Sequence, residues 1–379
     1  MTGAPVHGTW ADRFSPVVDA FAQNFVDHGE VGAGVHVIVD GTPVVDIWGG
    51  HVDADRTVEW AADTLVNVYS VGKAFAATLV LRLVDEGRID LDAPVASYWP
   101  DFAQNGKGRA TVRHLLCHRV GVPAIREQLT DDDLFDFETM VDAVARTEPW
   151  WTPGEGHAYH TNTYGHLTGG LLAAVTGERP GMLLRRHLAE PLGADVHVGV
   201  ADADLDRCAD VVWAGGIMRV DFDDIERLGP DQQLAALSYV NPPGYSSMGV
   251  VNSRAWRQTE VPSTNTHATA RGVARVYGGI IDGNVLSDEV LAEAVRVQSA
   301  GWCPLLGQDV SFGLGFQPWT EARPLGRTPG SYGHFGSGGA LGFADPTRRI
   351  AFGYVMNHVV PRWQSPRNRA LVDAVYDCL

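Results

Sequence analysis

Hydrophobic positions recur with a helical period over residues 10–28, where Phe14, Val17, Val18, Phe21, Phe25 and Val26 fall on one side. Two runs of strand character follow, at 35–39 and 43–48, and the Asp40-Gly41-Thr42 between them predicts a β-hairpin. A strand pair this early must find further strands. Candidates stand at the far end, at 311–316, 340–344 and 350–356, the last two joined by the turn signal of 345–349. Residues 365–378 then predict a closing helix. Between the two strand-rich ends, helical patterns run over 72–87, 132–147, 162–177 and 180–190. The pattern predicts a sheet domain built from 1–69 and 240–379, and a mostly helical domain over 70–239. Residues 241–265, with Pro242-Pro243-Gly244 and several Ser and Asn, predict a long loop bordering a site.

Composition narrows the function classes. The chain has 379 residues, 45% of them hydrophobic, enough to bury a sizeable core. With 29 Lys+Arg against 46 Asp+Glu the net charge is −17. Phosphate backbones are bound by clustered Lys and Arg, and the sequence shows no such cluster, so neither nucleic acid nor an anionic membrane surface is an expected partner. No run approaches the ~18 apolar residues of a membrane span. Residues 1–7 lack the basic and apolar regions of a signal peptide, which leads to an expected cytoplasmic location. Cys117, Cys208, Cys303 and Cys378 have no metal-type spacing and read as free thiols.

The sharpest chemical signal is Tyr69-Ser70-Val71-Gly72-Lys73 at the start of a helical pattern. Ser70 and Lys73, three apart, share one face of the first turn. A serine needs a base to become a nucleophile, and a lysine made neutral by burial can be that base. The positive end of the helix favours negative charge developing nearby. Taken alone, the pair reads more readily as a capping serine and a surface lysine, since Ser-x-x-Lys is a short motif that recurs by chance. Its apolar setting, Val71 to Val84, favours the chemical reading.

A second signal is the segment 151–165, in which Pro153-Gly154 delivers Tyr159, Thr161 and Asn162 ahead of a helix. A tyrosine beside an ammonium ion can become a phenolate near neutral pH and shuttle protons. The alternative is a plain helix entry, capped by Thr161 or Asn162. A third is the glycine-rich stretch 332–343, where a backbone N–H can join that of Ser70 in an oxyanion hole, or which simply turns between strands.

In this order and spacing, the three segments resemble the serine β-lactamase and penicillin-recognising superfamily, closest to its family VIII carboxylesterases. Asp90-Leu91-Asp92-Ala93-Pro94-Val95, Tyr98-Trp99-Pro100 and the stretch 111–123 add to the likeness, which covers about 30–360. The resemblance implies a β-lactamase-like α/β (α+β) fold, an antiparallel sheet flanked by helices beside a mostly helical second lobe. It implies Ser70 as acylated nucleophile, Lys73 and Tyr159 as acid and base, and the Ser70 and Ser337 N–H groups as oxyanion hole. It places His334, Phe335 and Gly336 at the Lys-Thr-Gly position and Thr161 at the Asn of Tyr-x-Asn, with Asn162 one residue away. His334 is mostly neutral at pH 7, unlike the lysine it replaces.

Those departures favour an ester as acyl donor over a β-lactam. The expected function is a serine hydrolase acting on small carboxylic esters. The alternative is an acyltransferase of secondary metabolism, passing the same acyl group to an amine or alcohol; a β-lactamase or peptidase ranks lower, and a non-catalytic binding protein keeping the pocket is the remaining reading. Trp150, Trp151 and Trp302 are expected to line an apolar acyl pocket. Glu155, His157, His160 and His166 match no zinc spacing, so neither metal nor cofactor is expected.

Overall fold

The computed structural model describes residues 5–214, 222–360 and 364–379. Its main sheet has seven strands. From one edge they run Val6–Trp10, Thr42–Gly50, Gly32–Val39, Ile350–Met356, Leu341–Asp345, Tyr332–Phe335 and Gln317–Pro318, each antiparallel to its neighbour. The central pairing, Val35 opposite Tyr354 and Val37 opposite Phe352, joins the two ends of the chain. Near-continuous burial of the Gly32–Val39 and Ile350–Met356 strands fits a sheet covered on both faces.

The pleat assigns the faces. Gly342 and Gly353 sit opposite each other beneath the Ala270–Ile281 helix, so close that a Cβ on Gly353 would come within 2.4 Å of the Ala270 carbonyl. Their neighbours Phe343 and Phe352 therefore point to the other face, where their rings stack at 5.1 Å. Helices Ser15–Asp27 and Pro366–Asp377 pack on one another. Glu30, Arg367 and Tyr354 lie buried beside them, with Glu30 paired to Arg367 at 2.7 Å and accepting from the Tyr354 hydroxyl.

Several elements differ from expectation. The chain pairs first as the strand Val6–Trp10, and the helix starts only at Ser15, where Pro16 suits a first turn; Val26 ends up 42% exposed. The 132–147 pattern splits into Asp131–Leu134 and Phe137–Arg146, because the Asp136 side chain caps a new helix on the Thr139 N–H. The 180–190 stretch is helical as expected, but the α-helix Pro180–Leu184 widens into a π-helix over Arg185–Ala189 before the α-form resumes at Glu190. The strand expected at 311–316 is instead Gln308–Phe312, paired with Ser299–Cys303 in a separate hairpin. The strand ends at Phe312, short of Gly315, which takes a positive φ of +83°. The loop 241–265 contains the short helix Arg254–Gln258. All four cysteines are free thiols. Among the described residues no helix is long and apolar enough to cross a membrane.

Breaking the Glu30–Arg367 pair strands a charge in the core. Glu30→Gln or Arg367→Met should each lower unfolding free energy by about 3–5 kcal/mol in urea titrations. The double variant should cost less than the sum of the two, because neither charge is then left alone.

Candidate active site

Tyr69 enters the site with a positive φ of +50°, a conformation that costs a non-glycine residue about 1–3 kcal/mol. It is held there by full burial, an edge-on contact with Trp213 and a hydrogen bond from the Ser247 hydroxyl. The turn delivers Ser70 to the N-terminus of the Val71–Asp85 helix, where its side chain makes no capping hydrogen bond. The capping reading of Ser70 is thereby set aside, and the hydroxyl is left for chemistry.

One turn on, Lys73 is fully buried. Its Nζ lies 3.2 Å from Ser70 Oγ, 2.5 Å from the Thr161 carbonyl and 3.1 Å from the Ser263 carbonyl. Among the described residues no carboxylate pairs with it, and burial pushes its pKa well below the ordinary 10.5. A neutral amine has two hydrogens and one lone pair. The two carbonyls take the hydrogens, which leaves the lone pair facing the Ser70 hydroxyl. Gly72 makes this packing possible: a Cβ there would fall 2.5 Å from the Pro262 carbonyl, beside the segment that supplies Ser263.

Tyr159 reaches the same point from the other side. Its ring lies 4.8 Å from Lys73 Nζ, stacks on Phe312 and His334, and meets His118 at 5.1 Å. Its phenol is close enough to interact with the Ser70 hydroxyl, yet burial holds the pKa well above the usual tyrosine range. Burial thus works against the expected phenolate. It also moves Lys73 away from the charged form that would stabilise a tyrosinate, so both shifts favour a neutral amine and a phenol. The surrounding imidazoles are neutral as well: burial lowers His160 and His334 to about 3 and His118 well below 6.5.

After the strand Tyr332–Phe335, Gly336 passes so close to the Val68 carbonyl that a Cβ would lie 2.3 Å from it. That approach brings Ser337 alongside Ser70, and both line the same two cavities. Arg367 donates to the Gly338 carbonyl at 2.8 Å and Asn368 to that of Gly339 at 2.9 Å, fixing the turn that follows Ser337.

One cavity, of about 300 Å³, is lined by Tyr69, Trp213, Met248, Val359 and Val360, among others. The other, of about 110 Å³, adds Tyr159, Leu306, Gln317, Arg323, Phe335 and Gly336. Ser70, Thr161, Tyr239 and Ser337 belong to both.

Of the residues singled out from sequence, Ser70, Lys73, Tyr159, Thr161, Phe335, Gly336 and Ser337 converge. Asn162 lines the larger cavity, but its amide is spent on the Ser238 carbonyl, Ser246 and Thr264. His334 lies behind Tyr159, its ring bonded to the Phe335 carbonyl, and lines neither cavity. Trp302 is 62% exposed on the Ser299–Cys303 strand, away from both cavities. Trp150 and Trp151 bond to the Ala124 and Arg119 carbonyls instead, so the tryptophan-lined acyl pocket is not formed by these three. The apolar wall of the larger cavity comes from Tyr69, Trp213 and Met248; sequence reasoning named Tyr69 only as the residue before Ser70 and passed over the other two. Ser263 acts through a backbone carbonyl and leaves no side-chain signal. His160 and His166, neighbours in sequence, turn to different partners, the Ala158 carbonyl and Tyr245.

A serine, a buried amine, a phenol and an adjacent backbone turn thus meet at one cleft. The chain belongs to the beta-lactamase family, whose model matches residues 18–376. It is 35% identical over 368 residues to "Esterase/beta-lactamase LipL" of Mycobacterium tuberculosis, covering 94% of this chain and 84% of that one. A family VIII carboxylesterase of known structure superposes with a TM-score of 0.91 at 35% identity, over 99% of this chain and all of that one. A penicillin-binding protein homolog from Caulobacter crescentus gives 0.89 at 34%, with 99% and 100% covered. The fold is thus β-lactamase-like, and the protein is an enzyme of the serine hydrolase superfamily that carries it.

The neutral resting amine has a kinetic signature. Lys73 accepts a proton only when unprotonated, so covalent modification of Ser70 by a fluorophosphonate should rise with pH through one ionisation. Because burial lowers that ionisation, the rise should level off well before the ordinary lysine range. A rate still climbing toward 10.5 would contradict a neutral resting Lys73.

Proposed function

We propose that the protein hydrolyses small carboxylic esters through an acyl-enzyme on Ser70. The observation that carries the reading is the position of Lys73: fully buried, without a carboxylate partner among the described residues, and 3.2 Å from the Ser70 hydroxyl. Lys73 takes the Ser70 proton as Oγ attacks the ester carbonyl. The N–H groups of Ser70 and Ser337 hold the oxyanion, helped by the positive end of the Val71–Asp85 helix. Tyr159 relays the proton to the departing alcohol. Water then enters by the same route, and the reverse transfers release the acid and restore Ser70. The cleft lies between the 70–239 part of the chain, which supplies Ser70, Lys73 and Tyr159, and the 1–69 and 240–379 part, which supplies Ser337.

Family relationship supports ester hydrolysis, and two local features favour it over lactam cleavage. His334 is buried and neutral, so it supplies no cation at the Lys-Thr-Gly position; Arg323 lines the smaller cavity instead. The larger cavity presents an apolar wall suited to an alkyl or aryl acyl chain. An alcohol or amine in place of water would make the same intermediate a transferase. In hydrolysis assays with added short alcohols, free acid should remain the main product.

Intact-protein mass spectrometry after incubation with p-nitrophenyl esters of graded chain length should show one acyl group on the wild type and none on Ser70→Ala, which should also lose turnover. Lys73→Met and Tyr159→Phe should each reduce kcat/KM by about 10²–10⁴-fold. Near-normal rates in either variant would remove that residue from the proton path.

A further inference from the structure

The two cavities meet at Ser70 and divide a bound ester between them. An ester carbonyl seated on the Ser70 and Ser337 N–H groups sends its acyl chain one way and its alcohol the other. Tyr159 lines only the smaller cavity. With Tyr159 as proton donor to the leaving oxygen, the alcohol occupies that cavity and the acyl chain the larger, apolar one. This direction rests on the acyl-enzyme reading above.

The smaller cavity holds an acceptor in want of a donor. Gln317, on the edge strand Gln317–Pro318, lines it and is only 7% exposed, and its buried Oε1 has no hydrogen-bond partner. A buried amide oxygen left unpaired is costly, and the group that relieves it must donate a hydrogen. Thr161, which lines the same cavity, has the Tyr239 hydroxyl close by. An alcohol half can bring three kinds of donor: an ammonium, a primary amide or a hydroxyl. Arg323, the charged side chain lining this cavity, is already engaged within the protein. Burial draws its guanidinium down to about 10, which leaves it protonated at neutral pH. That charge repels an ammonium. A primary amide brings two N–H groups and a carbonyl, each needing a partner of its own. A hydroxyl donates once, and its lone pairs sit comfortably near a guanidinium. A space of about 110 Å³ has room for an arm of roughly three or four heavy atoms.

We infer that the preferred substrates are monoesters of a short diol or triol, with a free hydroxyl of the alcohol half donating to Gln317 Oε1. Acylation forms the bond from Ser70 Oγ to the acyl carbon and breaks the bond from that carbon to the alcohol oxygen. The polyol leaves with the proton relayed by Tyr159. Water then cleaves the acyl-enzyme, so one ester and one water give one carboxylic acid and one polyol.

The test compares the 2-hydroxyethyl, 2-fluoroethyl and 2-methoxyethyl esters of butyrate with the intact chain. Neither fluorine nor a methoxy oxygen donates a hydrogen. Fluorine is close to a hydroxyl in size and withdraws electrons at least as strongly, so easier departure does not account for a preference for the hydroxyl. The hydroxyethyl ester should be preferred over both others by about tenfold in kcat/KM. Gln317→Met, which keeps the length and removes the acceptor, should bring both ratios close to one, and Gln317→Glu, which keeps an acceptor, should retain a preference. A wild-type ratio at or below one against either ester, or ratios unchanged in Gln317→Met, overturn the inference. So does a preference for the hydroxyl on the acyl half, read with ethyl 3-hydroxybutyrate against ethyl isovalerate and lost in Gln317→Met. Fluorophosphonate labelling of Ser70 in the same preparations separates the two levels. A labelled Ser70 with no preference removes only the alcohol assignment, whereas an unlabelled Ser70 removes the acyl-enzyme reading and this inference with it.

Discussion

The site depends on burying the Lys73 amine with no carboxylate among the described residues to balance a charge. An ammonium in that position would lose its hydration without gaining a carboxylate, a penalty of several kcal/mol even after relaxation. Releasing the proton avoids it. What remains is a neutral amine whose two hydrogens are absorbed by the Thr161 and Ser263 carbonyls. Backbone carbonyls matter here because they orient the amine without ionising it. A carboxylate in either place would restore the ammonium and remove the lone pair.

Holding that arrangement draws on distant parts of the chain. Gly72 lets the helix lie against the 262–266 segment, and Gly336 lets the sheet edge close on Val68. Tyr69 is kept at positive φ by its surroundings and not by its own preference. From the far end, Arg367 ties the turn after Ser337 to Glu30, and so to the start of the Gly32–Val39 strand. The sheet that joins the two chain ends therefore also sets the distance between Ser70 and Ser337.

Sequence legibility followed the range of the interactions. The hairpin, the 350–356 strand and the Val71–Asp85 helix were readable because local periodicity and turn residues agree with the tertiary environment. The Ser70–Lys73 pair was readable because one helical turn fixes it. Tyr159 and Ser337 became candidates only through resemblance, since nothing local sets their distance to Ser70. Arg323 and Gln317, which line the smaller cavity, were missed for the same reason: Arg323 follows a turn-rich stretch and Gln317 sits in a two-residue edge strand, too short for a periodic pattern. Trp302 failed differently. Its size suggested a pocket wall, but the hairpin carrying it turns that face to solvent. The 311–316 strand was misplaced because its register is set by pairing with Ser299–Cys303, which nothing local announces.

In the proposed mechanism these two shifts set the order of events. With both groups desolvated, each moves toward neutrality, the amine by losing its charge and the phenol by keeping its proton. The proposed first proton transfer therefore runs from Ser70 to Lys73, not to a tyrosinate. Charge separates only once the oxyanion forms opposite the new ammonium, where the two can stabilise each other across a few ångströms. Tyr159, still a phenol, is then a proton donor placed beside the leaving oxygen. The neutral histidines packed around it serve this role by keeping a polarisable, uncharged wall: a protonated imidazole at His118 or His334 would set a second positive charge against the ammonium as it forms.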